Sequence, residues 1–261
     1  MLRSEISPSL NSAKYRSRVR RLSNLFARFL NGCLRAVRRA ATDACLLCGG
    51  ATRDGNPCPA CRQALPRLPP SRCPTCAVPT VDGSLCGDCL QRPPAFDSTV
   101  AALEYRFPVD AMIRRFKYAG DLATGQALGR LFAEHAAAGG AAPMPELLIP
   151  MPLHPARLKA RGFNQAAELA RLIARQLGIP VSQALCARVR DTPEQAQLSW
   201  DERRRNVRGA FSCSRGVDGL HAAVVDDVLT TGATLNELAR ALKRCGAARV
   251  SAWVVARTVP D

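Results

Sequence analysis

The chain has 261 residues, with 37 Lys and Arg against 21 Asp and Glu, a formal net charge of +16, and 12 cysteines. At 47% apolar and 22% charged it is long enough for one or two folded domains, which excludes wholesale disorder and a collagen-like repeat. It has no run of about 18 uncharged apolar residues, so no membrane-spanning helix is expected. The N-terminus also lacks the apolar core of a secretory signal, and a reducing, cytoplasmic location is the expectation.

Half of the charge excess sits in residues 1–44, which hold ten basic residues against Glu5 and Asp43, a net +8. Residues 1–21 (Lys14, Arg16, Arg18, Arg20 and Arg21) are predicted to form a basic, disordered tail. Between 22 and 41, Leu22, Leu25, Phe26, Phe29, Leu30, Cys33, Leu34 and Val37 recur at spacings of three and four. Arg28, Arg35, Arg38 and Arg39 lie elsewhere on the wheel, so an amphipathic helix is predicted. Such a helix can bind a membrane surface, carry an organelle-import signal or pack on the protein itself.

Residues 45–94 form the second zone, with eight cysteines in four C-x-x-C pairs: Cys45/Cys48, Cys58/Cys61, Cys73/Cys76 and Cys86/Cys89. Shifting the sequence by 28 maps 45–66 onto 73–94 and matches every cysteine, together with Thr52 to Thr80, Asp54 to Asp82 and Gly55 to Gly83. This is an internal duplication. Each C-x-x-C turn presents two thiolates, and two turns close a tetrahedral metal site with no open position, so two structural Zn2+ ions are predicted. The segment has few large apolar side chains, and zinc in finger peptides supplies roughly 10–16 kcal/mol of folding free energy. Disulfides and redox C-x-x-C chemistry fit less well without a secretory signal or a strand-to-helix setting. The duplication favours sequential ligation, Cys45, Cys48, Cys58 and Cys61 around one ion and Cys73, Cys76, Cys86 and Cys89 around the other. An interleaved cross-brace stays open. Cys33, Cys186, Cys213 and Cys245 have no partner spacing and are expected as isolated thiols.

From 96 to 261 the pattern alternates strand and helix. Leu147–Met151 is a short apolar strand; Asn164 caps a helix carrying Leu169, Leu172, Ile173 and Leu177 and stopped by Gly178 and Pro180. Ala222–Val228 is a second strand, a helix with Leu235, Leu238 and Leu242 runs to Gly246, and Val250–Ala256 is a third strand. The alternation predicts an α/β domain, a parallel sheet with helices on both faces, preceded by the small Cys-rich module.

The most specific string runs from Val224 through Asp226, Asp227, Val228, Leu229, Thr230, Thr231, Gly232 and Ala233 to Thr234. Ligands of open parallel sheets bind at the C-terminal edge of the strands. Helix N-terminal N–H groups there bind phosphate, and glycine lets the backbone approach. Two adjacent carboxylates accept hydrogen bonds from vicinal hydroxyls, so the string suits a ribose 5-phosphate. An ordinary strand-turn-helix explains the apolar strand but not the paired acids followed by Thr-Thr-Gly-x-Thr. The basic loop with Arg157, Lys159 and Arg161 follows another strand end, where a pyrophosphate would be held; a solvated charge run is the alternative. Residues 190–208, with Arg203, Arg204 and Arg205, are expected as a mobile flap. Lys117 is placed either at the site or on the surface, and His154 is expected to shape its loop rather than bind phosphate.

The 226–234 string resembles the phosphoribosyl pyrophosphate (PRPP) motif of type I phosphoribosyltransferases. A closer resemblance is to the ComF family of competence-associated proteins. It is carried by the Cys-rich module, Lys117–Asp121, Pro152–Pro155, Arg161–Gln165, Gln195–Ser199, Glu202–Phe211 and Asp226–Thr234, in that order. It covers Cys45 to about Thr258. The resemblance implies a phosphoribosyltransferase-like fold with a double zinc ribbon, connected to DNA uptake and natural transformation. It also implies Mg2+ with PRPP and other DNA-uptake proteins as partners, and because zinc ribbons and arginine-rich segments commonly hold nucleic acid, single-stranded DNA is a candidate partner. Asp226 and Asp227 would hold the ribose hydroxyls, Arg157 and Arg161 the leaving pyrophosphate, and Val228–Thr234 the 5-phosphate, with Lys117, Arg203 and Arg204 as further phosphate contacts. A non-enzymatic, PRPP-responsive DNA-binding role is the alternative. The hood that selects a base in this fold class is expected at roughly residues 96–121.

Overall fold

A computed structural model describes residues 43–52, 56–141, 143–190 and 207–259. The expected tail and amphipathic helix before residue 43, and the expected flap with Arg203, Arg204 and Arg205, lie outside the described residues. The chain divides into two compact units, Met1–Cys58 and Pro59–Asp261.

In the first unit, β1 (Asp43–Ala44) pairs antiparallel with β2 (Ala51–Thr52). Between them the Cys45 carbonyl accepts from Gly49 N at 3.0 Å, and Cys45 N donates to the Gly50 carbonyl at 2.7 Å. Gly49 turns with φ +72°.

The second unit opens with α1 (Pro59–Gln63) and then repeats the first unit's geometry 28 residues on. Arg72 bridges Pro79, the counterpart of Ala44 with Ala51. The Cys73 carbonyl accepts from Ala77 N at 2.9 Å, and Cys73 N donates to the Val78 carbonyl at 2.7 Å. At the Gly49 equivalent stands Ala77, a non-glycine residue with φ +59°, so the turn geometry outlasts the residue type that favours it. The short helix α2 (Gly87–Gln91) is offset from α1 by the same 28 residues.

The rest of the second unit is built on a sheet. β3 (Ser98–Glu104) leads to α3 (Val109–Ala119) and α4 (Leu122–His135), which is capped by Asp121 accepting from Ala123 N and Thr124 N. A π-helical turn at Ala136–Gly140 precedes β4 (Leu147–Pro150). After it come α5 (Pro155–Arg161) and α6 (Gln165–Leu177), the latter capped by Asn164 and closed by Gly178 in the left-handed region, φ +70°. β5 (Cys186–Arg188) and β6 (Phe211–Cys213) form a separate antiparallel pair. β7 (His221–Leu229), α7 (Ala233–Arg244) and β8 (Arg249–Arg257) complete the chain.

The main sheet is β3-β8-β7-β4, all parallel. The alternation along β8 shows why helices cover both faces. Val250, Ala252 and Val254 belong to a core with Leu238 and Leu242 of α7, whereas Trp253, 1% exposed, meets Phe132 of α4 at 5.4 Å between ring centroids. A period-two strand thus feeds two helical layers. On the α4 side glycines permit close approach, since a Cβ on Gly129 would come within 3.1 Å of Leu172 and one on Gly125 within 2.4 Å of Phe116.

Two expectations are corrected. Residues 98–104, expected within the hood, are instead an edge strand in register with β8, while Tyr105 and, on the helix 109–119, Ile113, Arg114, Lys117 and Tyr118 border the cleft. Cys186 and Cys213 are not isolated thiols. They face each other in the β5–β6 register, Cα atoms 4.2 Å apart, and are disulfide-bonded, with Cys245 Sγ donating to the Cys213 carbonyl at 3.3 Å. Their 27-residue separation hides in sequence a pairing that strand register makes.

Candidate functional site

The parallel strands β4 and β7 end beside one another, and a cleft of about 390 Å³ opens at their C-terminal ends. Asp226, Asp227, the 228–234 turn, Lys117, Arg157 and Arg161 all line it. Sequence residues 110 apart thus meet through the sheet: Lys117, on the last turn of α3, puts Nζ 2.9 Å from Asp227 Oδ2 and 3.2 Å from Oδ1. Asp227 is 5% exposed, so its charge needs this partner. Burial works against the Lys117 charge, but Asp227 and then Asp226 outweigh it and raise the ammonium above its ordinary pKa. Asp226 Oδ1 accepts from Asp227 N at 2.8 Å. Burial, and then the neighbouring Asp227 charge, push the Asp226 carboxyl up to about 7, against the pull of Lys117 and Arg188.

The turn after β7 is built for close approach. Gly232 adopts φ +76° as it enters α7, and Thr231 Oγ1 accepts from Ala233 N at 3.4 Å. The first turn of α7 presents N–H groups with no intrahelical acceptor, the ordinary means of holding a phosphate. Across the cleft, His154 caps α5, its Nδ1 accepting from Ala156 N, in keeping with a loop-shaping role. Asn164 caps α6 and also donates to the Met151 carbonyl at 3.1 Å, fixing where the chain leaves β4 for the basic residues Arg157, Lys159 and Arg161, which stand on helix α5 rather than on a loop.

Sequence reasoning missed Tyr105, Arg114, Tyr118 and Arg188, which also line the cleft. Arg188 is the most telling of these, 7% exposed on β5 with its guanidinium 5.6 Å from the centroid of Phe211. A lone arginine in a three-residue strand carries no motif. Tyr118 lies under the Arg161 guanidinium at 5.5 Å, and its place beside Lys117 was the one available hint.

The cysteines form two sets, each with its four Sγ atoms within 4.8 Å of one another: Cys45, Cys48, Cys58 and Cys61; Cys73, Cys76, Cys86 and Cys89. The grouping is sequential, not interleaved. Four sulfurs about 2.3 Å from one zinc ion stand about 3.8 Å apart; Cys48 and Cys58 Sγ are 3.8 Å apart, and Cys76 and Cys86 Sγ 3.6 Å. Burial would raise the Cys45 thiol, but backbone N–H groups of Cys48, Cys58 and Leu47 outweigh it and hold it at about 6. Cys73 is held at about 7 in the same way by Cys76, Cys86 and Thr75. Burial raises Cys76 to about 11 and also raises Cys89. All-thiolate sets of this size fit structural zinc.

Residues 164–259 match the model of the phosphoribosyl transferase domain, and residues 40–90 that of the double zinc ribbon domain. The chain is 37% identical over 171 residues to DNA utilization protein YhgH of Salmonella typhi, covering 64% of this chain and 75% of that protein. Over 170 residues it is 35% identical to competence protein F of Haemophilus influenzae, covering 63% and 74%. With competence protein ComFC of Bacillus subtilis it shares 32% over 113 residues, 43% and 45% of the two chains. A solved structure, the glutamine PRPP amidotransferase from B. subtilis complexed with ADP and GMP, is 23% identical with a TM-score of 0.34, covering 49% of this chain and 25% of that one.

Proposed function

The chain belongs to the ComF family, whose members include DNA utilization protein YhgH and competence protein F, and from that premise we propose that it binds PRPP in the cleft at the C-terminal ends of β4 and β7 and activates it for phosphoribosyl transfer. The observation that carries the reading is the convergence of Asp226, Asp227, the 228–234 turn, Lys117, Arg157 and Arg161 on one cleft.

Each group has a part suited to its chemistry. The 5-phosphate sits on the N–H groups of the 230–234 turn, in the field of the α7 N-terminus. Asp226 and Asp227 accept hydrogen bonds from the ribose hydroxyls and oppose the positive charge that grows at the anomeric carbon as its bond to pyrophosphate breaks. Arg157 and Arg161 hold the departing pyrophosphate through charge-assisted hydrogen bonds. Lys117, paired with Asp227 at 2.9 Å, offsets part of the paired acidic charge and lies within reach of the same anion. Two carboxylates offer the hard oxygen donors that Mg2+ prefers, and the ion, when bound with PRPP, neutralises the pyrophosphate. Cys45, Cys48, Cys58 and Cys61, and Cys73, Cys76, Cys86 and Cys89, each hold one structural zinc.

The second reading keeps the same PRPP site without turnover, the ligand serving to modulate a grip on single-stranded DNA. The +16 charge and the DNA-related names of the relatives favour it. Calorimetry with PRPP and Mg2+, followed by a pyrophosphate-release assay against a panel of bases, separates the two. Asp226→Ala combined with Asp227→Ala is expected to weaken PRPP binding at least about 100-fold, since buried charge-assisted bonds are lost in pairs. Unchanged affinity in that variant overturns both readings. Tight binding with no pyrophosphate released by any base favours the second.

A further inference from the structure

Arg257, the last residue of β8, is 7% exposed and lies outside the cleft lining. Its guanidinium joins two features far apart in sequence. On one side Nε donates to the Cys76 carbonyl at 2.8 Å, in the middle of the second cysteine set. On the other, Nη1 donates to the Leu229 carbonyl at 3.0 Å and the Thr230 carbonyl at 2.7 Å, at the start of the phosphate turn. Thr258 reinforces the second side, its N and Oγ1 both donating to the Leu229 carbonyl. The Cys73–Cys76 knuckle is fixed in turn, because Thr99 Oγ1 on β3 donates to the Thr75 carbonyl at 2.6 Å.

Two more links run from the end of the ribbon to the same turn. Ala95 N donates to Asn236 Oδ1 on α7 at 2.6 Å, and the Phe96 ring lies 3.6 Å from where a Cβ on Gly232 would stand. A planar guanidinium can hold a fixed angle between carbonyls on two loops, which an ammonium cannot. The contacts are backbone carbonyls, so they report the path of each loop.

We propose that the second cysteine set is a brace for the phosphate turn, and that Arg257 is the positioning residue through which the metal held by Cys73, Cys76, Cys86 and Cys89 sets the turn's ability to bind PRPP. The proposal rests on the PRPP reading for its ligand, but the coupling itself is a property of the metal-loaded chain without PRPP. When the knuckle is closed on its metal, the Cys76 carbonyl is fixed and Arg257 clamps Leu229 and Thr230. When a ligand is lost, the anchor moves and the turn loosens.

The test uses the zinc-loaded full chain and three variants, Arg257→Lys, Cys86→Ser and Cys58→Ser, with zinc content measured for each. Hydrogen exchange without ligand is read at residues 228–234 and, as reference, at 147–150. Arg257→Lys should keep two zinc ions and Cys86→Ser should lose one, yet both should raise exchange at 228–234 while 147–150 stays protected. Calorimetry should show PRPP binding about tenfold weaker in each, and no weaker in the combined variant than in Cys86→Ser alone, because both break one linkage. Cys58→Ser should leave the turn unchanged.

Wild-type protection at 228–234 in both Arg257→Lys and Cys86→Ser overturns the brace, as does an equal loosening in Cys58→Ser. If Arg257→Lys does not fold, graded chelation of the wild type serves instead: exchange at 228–234 must then rise in step with loss of the second zinc. A wild type that shows the exchange coupling but does not bind PRPP keeps the brace and removes the proposed ligand.

Discussion

Asp226 is the residue on which pH should act most visibly. Burial first, and the Asp227 charge second, raise its carboxyl to about 7, well above the value of about 4 in an unfolded chain. Between those two values the native state binds the proton more tightly than the unfolded state does. The group's contribution to stability is therefore fully present below about pH 4 and is lost as pH rises through about 7. Asp226→Asn removes that loss, so the variant should melt above the wild type at pH 8, by about 2–4 °C for each kcal/mol relieved, and the gap should close toward pH 4. Calorimetric melts across that range are the check, and a gap that does not change with pH contradicts the shift. The acids and the Thr-Thr-Gly turn were legible because a strand, two carboxylates and a glycine turn form one local string. Lys117 was half legible, placed by sequence within reach but not paired. Arg188 and Arg257 were not, since the groups they meet lie far away in sequence and come together only in the fold.

Among the elements, those with strong local signals were legible: β4, β7 and β8 as apolar runs, and α6 from Asn164 and Gly178 at its ends. β3 was not, because Ser98–Glu104 is buried along five of its seven residues and short apolar runs of that kind do not reveal their partner. α4 was hidden by its own packing, since Gly125 and Gly129 admit Phe116 and Leu172 and lower the helical signal. The β5–β6 pair was missed for want of any turn signal spanning residues 189–210. Its cross-strand bond closes a loop of 27 residues, for which chain entropy predicts about 3–4 kcal/mol of stabilisation. Cys186→Ala with Cys213→Ala should shift urea unfolding by up to that amount, and peptide mapping without reductant should recover the linked pair. An unshifted midpoint would show that the bond constrains nothing.

For the whole molecule the charge poses the remaining question, because the cleft uses only part of it. Arg157, Arg161 and Lys117 serve the phosphates, and Asp226 and Asp227 subtract from the total at the centre of the site. Residues 1–44 carry a further net +8. If single-stranded DNA is gripped by this leader, affinity must fall with salt, because each neutralised phosphate releases a counterion, with a log-log slope of about −0.7 per contact. Replacing Arg16, Arg18, Arg20 and Arg21 by Ser in the full chain removes four contacts at most. The slope should then become shallower by up to about 3, with PRPP affinity followed alongside as the control. Fluorescence anisotropy of a labelled oligonucleotide between low and physiological salt measures this directly. A slope equal to that of the wild type assigns the DNA contact to the ribbon or the sheet domain, and a change in PRPP affinity would tie the leader to the phosphate site itself.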